Sequence, residues 1–209
     1  MPKEERKRPS MQIKWGIVPP VLILLSFFIV ALLPAYIAPH SPTEINLASA
    51  LSPPFFQGGT TKYLLGTDSL GRDILSRIIY GARISLIVAA TGVFAAGIIG
   101  SALGIIAGFK GGWVDSIVSR TVDVMLGFPT ILLALVLAVV LGPSLFNVVL
   151  IVILIYWARY SRQARGETLK IRGMDYVLLA RTAGCSDLTI VLRHILPNVL
   201  NSLIVLATF

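Results

Sequence analysis

Charge is scarce in this chain of 209 residues: 13% are Asp, Glu, Lys or Arg, whereas 56% are hydrophobic. Soluble domains carry about 25% charged residues, so this composition excludes that class and indicates an integral membrane protein. Cysteine is almost absent. Cys185 stands alone, which rules out an intrachain disulfide, and it is expected to be a reduced, inert thiol. Histidine is limited to His40 and His194, both at predicted helix ends, and no paired carboxylates fall within an apolar run. An intramembrane hydrolase would need a nucleophile with a mid-membrane partner, and a proton-coupled carrier would need a buried relay. Asp123 is the one eligible carboxylate, so a membrane enzyme and a stand-alone secondary transporter are both weak readings.

A nucleotide site is also missing its essential groups. Gly66 and Gly71 have the glycine spacing of a phosphate-binding P-loop, but Arg72 and Asp73 follow where that loop needs Lys and then Ser or Thr. The net charge of +8 does not point to nucleic acid either, because the basic residues cluster beside apolar runs without interleaved aromatics.

The apolar runs themselves give the organisation. Residues 1–15 are basic and precede a run too long for a cleaved signal peptide, with no small-x-small site, so they read as the start of a retained anchor. Residues 16–38 form a first predicted transmembrane helix, with Pro19, Pro20 and Pro34 near its ends and Trp15 and Tyr36 at its edges. Residues 39–83 are an external loop, interrupted by Pro39, Pro42, Pro53, Pro54, Gly58 and Gly59. Its second half places Ile74, Leu75, Ile78, Ile79 and Ala82 on one stripe, with Asp73 and Arg77 paired at i, i+4. That pattern predicts a short helix lying in the outer interface.

From Ile84 to Phe109 there is no charge, and Gly92, Ala96, Gly100, Gly104 and Gly108 recur every four residues, a spacing that predicts a close helix contact. A polar turn is expected over Lys110–Arg120. The next span, Val122–Leu141, carries Asp123 near its start, within reach of Arg120 for a structural ion pair, and a kink at Gly127-Phe128-Pro129. Leu145–Ala158 forms a fourth span that continues into a basic stem at Arg159, Arg162 and Arg165. The last run, Ile195–Phe209, would cover roughly 22 Å of a core of roughly 30 Å, so a fifth span cut short is expected.

Between the last two runs lies a loop, 166–194, too charged to cross a bilayer. Helix signals over Asp175–Ala183, a stop at Gly184 and a restart capped by Ser186 predict a helix, a glycine turn and a second helix. In that second helix Leu188, Val191, Leu192 and Ile195 fall on one predicted apolar stripe, and Pro197 is expected to kink or begin the final span. With a cytoplasmic N-terminus, fourteen of the 18 basic residues lie inside and four lie outside, which orients the chain and places this loop in the cytoplasm.

At this loop the sequence resembles the permease subunits of bacterial binding-protein-dependent ABC importers, in the dipeptide, oligopeptide and nickel branch. Ala180, Gly184, Ile195-Leu196-Pro197 and Asn198 match their cytoplasmic motif, and Asp187 and Arg193 fit that branch. GTDSLGRD and YGAR before the second span, and Gly127-Phe128-Pro129, are similar as well. The resemblance implies an all-α polytopic membrane protein of the type I ABC importer permease fold. It would have about five transmembrane helices, the interfacial helix, and a permease domain over 84–209 that holds a cytoplasmic coupling loop.

It further implies multi-pass insertion in the bacterial inner membrane. The expected partners are a second permease subunit, two ATP-binding subunits and an extracytoplasmic substrate-binding protein, and peptide is the expected cargo, with nickel or glutathione as alternatives. ATP and Mg would be bound by the partners, leaving this chain without a cofactor or an enzymatic activity. The implied coupling residues are Asp175, Leu178, Leu179, Ala180, Arg181, Gly184, Asp187, Ile195, Leu196 and Pro197. Leu178 stands where the motif has Glu and Leu179 where it has its first Ala, so docking is expected to rest on burial around Ala180 and Gly184, with Arg181 and Asp187 at the rim.

Overall fold

A computed structural model describes residues 18–208. The expectations for residues 1–15, for the start of the first span and for Phe209 lie outside the described residues. The chain divides into two compact units, Met1–Leu86 and Ile87–Phe209. Among the described residues the regular structure is helical, apart from one isolated bridge between Thr67 and Asp73.

In the first unit, α1 (Val18–Leu32) carries prolines in its first turn, where a missing N–H costs nothing, and it ends before Pro34, whose ring disfavours helical backbone at Leu33. A four-residue helix, α2 (Pro34–Ile37), follows. The span expected over 16–38 is thus broken among its described residues. Five consecutive apolar side chains of α1, Val21 to Leu25, are each more than half exposed, as suits a helix surrounded by lipid or by other subunits.

The loop after α2 is closed by hydrogen bonds. Asp68 accepts from the backbone N–H groups of Leu70 (2.9 Å) and Arg72 (3.0 Å), and pairs with the Arg72 and Arg77 side chains at 2.7 and 3.1 Å. Gly66 and Gly71, whose spacing mimics a P-loop, serve this closure instead. Both have positive φ, and a Cβ would come within 2.4 Å of the Ser52 carbonyl oxygen at Gly66 and 1.8 Å of that of Asn46 at Gly71.

The Asp73–Arg77 pair does not form. Asp73 is the buried N-cap of the next helix, accepting from the Ser76 N–H at 3.0 Å, with His40 Nδ1 3.5 Å away, so the Arg77 side chain turns to Asp68.

The helix that Asp73 caps, α3 (Ile74–Lys110), runs for 37 residues without interruption, and the division between the units falls within it. The separate interfacial helix is therefore corrected: its residues are the first turns of α3. Gly81, the one residue there with low helix propensity, is accommodated inside the helix with open space around it.

In the second unit the polar turn expected over Lys110–Arg120 contracts to Gly111, whose φ is +70°, and α4 (Gly112–Gly127) begins immediately. The expected kink is a full break: α4 and α5 (Thr130–Leu141) meet at 89° around Phe128-Pro129. α6 (Leu145–Arg172) runs unbroken through the basic stem, burying Ile151, Ile155, Ala158, Ala164, Thr168 and Ile171 along one seam. Among the described residues three helices are long and apolar enough to cross a membrane, Ile74–Lys110, Leu145–Arg172 and Asp187–Leu206, with the broken α4–α5 pair as a fourth candidate.

The glycine register lies on the contact between α3 and α6. A Cβ at Gly92 would meet Val152 at 2.6 Å, one at Gly100 the Trp157 carbonyl oxygen at 2.2 Å, and one at Gly104 the Ser161 carbonyl oxygen at 2.2 Å. At Gly108 it would meet Arg165 and Thr168 at 3.0 Å. Residue numbers rise together on both helices, so the two run parallel.

Gly100→Leu or Gly104→Leu should force the helices apart, because backbone cannot yield as a flexible side chain can. The expected loss is about 1–3 kcal/mol or more, read as a lower thermal midpoint in detergent. Gly166→Ala on α6, where a Cβ meets nothing within 4 Å, should not lower the midpoint and should raise it slightly, since Ala favours helix over Gly by up to about 1 kcal/mol. A Gly104→Leu protein as stable as the parent would contradict the close contact.

Candidate functional site

The turn after α6 is built by local chemistry. α7 (Asp175–Thr182) has Asp175 in its first turn, where a carboxylate suits the helix dipole. It stops at Gly184 in the left-handed region (φ +82°), with Gly184 N–H bonding the Arg181 carbonyl and Cys185 N–H the Ala180 carbonyl, both at 3.1 Å. Ser186 then caps α8 (Asp187–Ile190) by accepting from the Thr189 N–H at 3.2 Å.

α8 does not end in a loop. A π turn over Val191–Ile195, closed by the Leu196 N–H on the Val191 carbonyl, carries it directly into α9 (Leu196–Leu206). Pro197 explains the wide turn: it has no N–H to donate, and its ring would crowd the carbonyl four residues back in a regular helix. The π turn also corrects the predicted stripe. The buried residues are Ile190, Ile195, Val199 and Leu203, a step of five followed by steps of four, whereas Leu188 and Leu192 are 68% and 52% exposed.

This helix–turn–helix is fixed to the ends of α3 and α6. Val177 is buried beside Ile105, Phe109, Ile171, Ile190 and Ile195, and Ala180 packs on the same cluster. The Arg172 Nη1 donates to the carbonyls of Gly108 (3.1 Å) and Phe109 (2.9 Å), capping α3, and the Arg181 guanidinium lies 5.4 Å from the centre of the Phe109 ring. Of the implied coupling residues, Asp175, Leu178, Leu179, Arg181, Gly184, Asp187 and Pro197 are exposed. Ile195 is buried, and Ala180 and Leu196 are partly buried. Beside the exposed set opens a cleft of about 760 Å³, lined by Phe109, Lys110, Arg172, Leu178, Arg181 and Asp187.

Two ion pairs tie α4 to the basic stem. Asp115 takes a two-pronged contact from Arg165, one prong at 2.7 Å, and Asp123 pairs with Arg162. The expected Arg120–Asp123 pair is thereby corrected: the partner of Asp123 comes from the neighbouring helix, not from its own. Only the run Arg159, Arg162, Arg165, opposite two acids four turns or fewer from the glycine break, could have signalled this in the sequence.

Comparison with known proteins locates the chain among transporters. Residues 100–209 match the family described as "Binding-protein-dependent transport system inner membrane component". The dipeptide transport system permease protein DppC of Haemophilus influenzae is 41% identical over 189 residues, covering 90% of this chain and 64% of the relative. DppC of Bacillus subtilis is 35% identical over 188 residues, covering 90% and 57%. The glutathione transport system permease protein GsiD of Pectobacterium atrosepticum is 42% identical over 149 residues, covering 71% and 50%. The chain spans less than two thirds of the length of these relatives.

The two ion pairs should differ in worth. Asp115 is 19% exposed, so Asp115→Asn strands a half-buried guanidinium and should cost about 1–3 kcal/mol; Asp123 is 65% exposed, and Asp123→Asn should change stability by less than about 1 kcal/mol. Denaturation of the purified protein in detergent measures both. Equal losses would show that exposure does not rank the pairs.

Proposed function

The chain belongs to the family of binding-protein-dependent transport system inner membrane components, and from that premise we propose that it is a permease subunit of an ABC importer for peptides. The names of its relatives support the substrate class, and glutathione, itself a peptide, falls within it. The partners in this reading are a second permease subunit, two ATP-hydrolysing subunits and an extracytoplasmic binding protein. The basic residues support a cytoplasmic N-terminus, an external stretch over 39–83 whose last part forms the first turns of α3, and a cytoplasmic α7–α8 turn, the surface on which an ATP-hydrolysing subunit would dock.

The observation that carries the mechanism is the unbroken path from Asp187 to Leu206. Its buried face, Ile190–Ile195–Val199–Leu203, is continuous through the π turn, so α8 and α9 share one seam against the rest of the unit. A displacement imposed on the turn by nucleotide binding in the partner reaches the membrane-spanning α9 as rigid-body motion, with no intervening loop to absorb it. The exposed Leu178, Leu179 and Leu188 supply apolar docking area at a place that water would otherwise wet.

Gly184→Val tests this. Space is open around Gly184, so the effect is conformational: a β-branched residue at φ +82° costs about 1–3 kcal/mol and unwinds the turn. In membranes holding the assembled transporter, the variant should insert normally but lose co-purification of the ATP-hydrolysing subunits and peptide uptake. Gly184→Asn, which tolerates the left-handed region, should retain most of both. Full association and uptake by Gly184→Val would remove the turn from this role.

A further inference from the structure

The cleft beside the turn carries more positive than negative charge among its lining residues. Lys110, the last residue of α3, Arg172, the last of α6, and Arg181 on α7 line it together, and Asp187 is the single carboxylate among the lining residues. Among the described residues neither Lys110 nor Arg181 has an acidic partner within salt-bridge distance, and the Arg172 Nη1 is occupied by the two α3 carbonyls. Arg181 is held by the face of Phe109, so its guanidinium is ordered without being neutralised.

Depth decides which anion it meets. Because α3 and α6 run parallel, Arg159, Arg162 and Arg165 lie alongside the segment of α3 that ends at Gly108. Charges on α6 mark where it has left hydrocarbon, and Arg172 is about 20 Å further along the helix than Arg159. The end of α3 is covered by protein on one face, where Gly104, Ile105, Ala107, Gly108 and Phe109 are buried, while Ile106 on the other face is 45% exposed. The cleft thus lies at the polar ends of α3 and α6, where Lys110 and Arg172 close the two apolar helices, on the surface assigned above to the ATP-hydrolysing subunit.

We propose that this cleft receives an Asp or Glu side chain of the docked ATP-hydrolysing subunit, which Arg181 and Lys110 bind as an ion pair. This rests on the docking role of the turn and adds the sign of its charge contact. Leu178, which stands where similar loops carry Glu, lines the same cleft. The polar contact this surface offers is therefore cationic, with the acid on the partner.

A water-soluble carbodiimide applied to the assembled transporter reads this out. It activates a carboxylate, which the Lys110 amine attacks to form an amide as the urea leaves, so an adduct requires the acid to be in contact with the lysine. We expect mass spectrometry to find Lys110 joined to an acidic residue of the ATP-hydrolysing subunit. Lys110→Arg should abolish this adduct and Lys170→Arg should not. Arg181→Gln should weaken association roughly tenfold at low salt and flatten its salt dependence.

Adducts through Lys170 or other lysines, with none at Lys110 in an intact complex, would overturn the proposal while leaving the turn's docking role standing. Association that follows phosphatidylglycerol content in nanodiscs but not Arg181 would overturn it in favour of a lipid phosphate. Association indifferent to Gly184→Val would instead remove the docking role on which it rests.

Discussion

The approach of α3 to α6, with no room for a Cβ at Gly100 or Gly104, sets the geometry of the whole second unit. Two backbones this close run in parallel and finish together, so the last carbonyls of α3 come within reach of Arg172. Phe109 then lies under Arg181, and Ile105 and Phe109 join Ile171, Val177, Ile190 and Ile195 in one apolar cluster. The helix–turn–helix is positioned by this cluster and not by its own short helices, which are too brief to be stable alone. Dispersion and close packing are what a contact between helices in lipid can gain, since hydrocarbon already surrounds them.

Features set by neighbouring residues were legible in the sequence. Gly184 and Ser186 act as caps because a left-handed C-terminus and an oxygen-bearing N-cap are demands of the backbone itself. The four-residue glycine register pointed to a helix contact for the same reason, as did the continuation of α6 past its apolar half. Contacts between distant segments were not legible. Asp123 and Arg162 are 39 residues apart, and Arg77 prefers Asp68 to the nearer Asp73 because Asp73 caps its own helix. The stripe on α8 failed through a change of period: counting by three and four selects Leu188 and Leu192, but the wide turn before Pro197 advances the buried face by one residue. The sequence already excluded a phosphate site at Gly66 and Gly71, because Arg72 and Asp73 stand where Lys and Ser or Thr are needed, but what the glycines do instead, closing a folded loop against backbone oxygens, was not legible.

Much apolar surface remains open on the chain. On α5, Ile131, Val139 and Val140 are 75%, 82% and 74% exposed, and α1 is exposed almost throughout. In a membrane that surface suits lipid or another helix, whereas the exposed leucines of the turn lie beside charged residues and suit a protein partner. In the function proposed above, these two kinds of surface separate a membrane-embedded part from a part that receives motion, and the segment from Asp187 to Leu206 joins them.

The central claim is that this segment moves as one body. Spin labels at Leu188 and Ile204, both exposed, measure it directly in the assembled transporter by the dipolar distance between them. Helical rise places the two backbone positions about 24 Å apart. The account predicts the same distance with and without ATP, within about 2 Å, while the turn shifts relative to other helices. A nucleotide-dependent change of about 5 Å, near one helical pitch, would show that the π turn is a hinge that absorbs the motion, and would contradict rigid transmission.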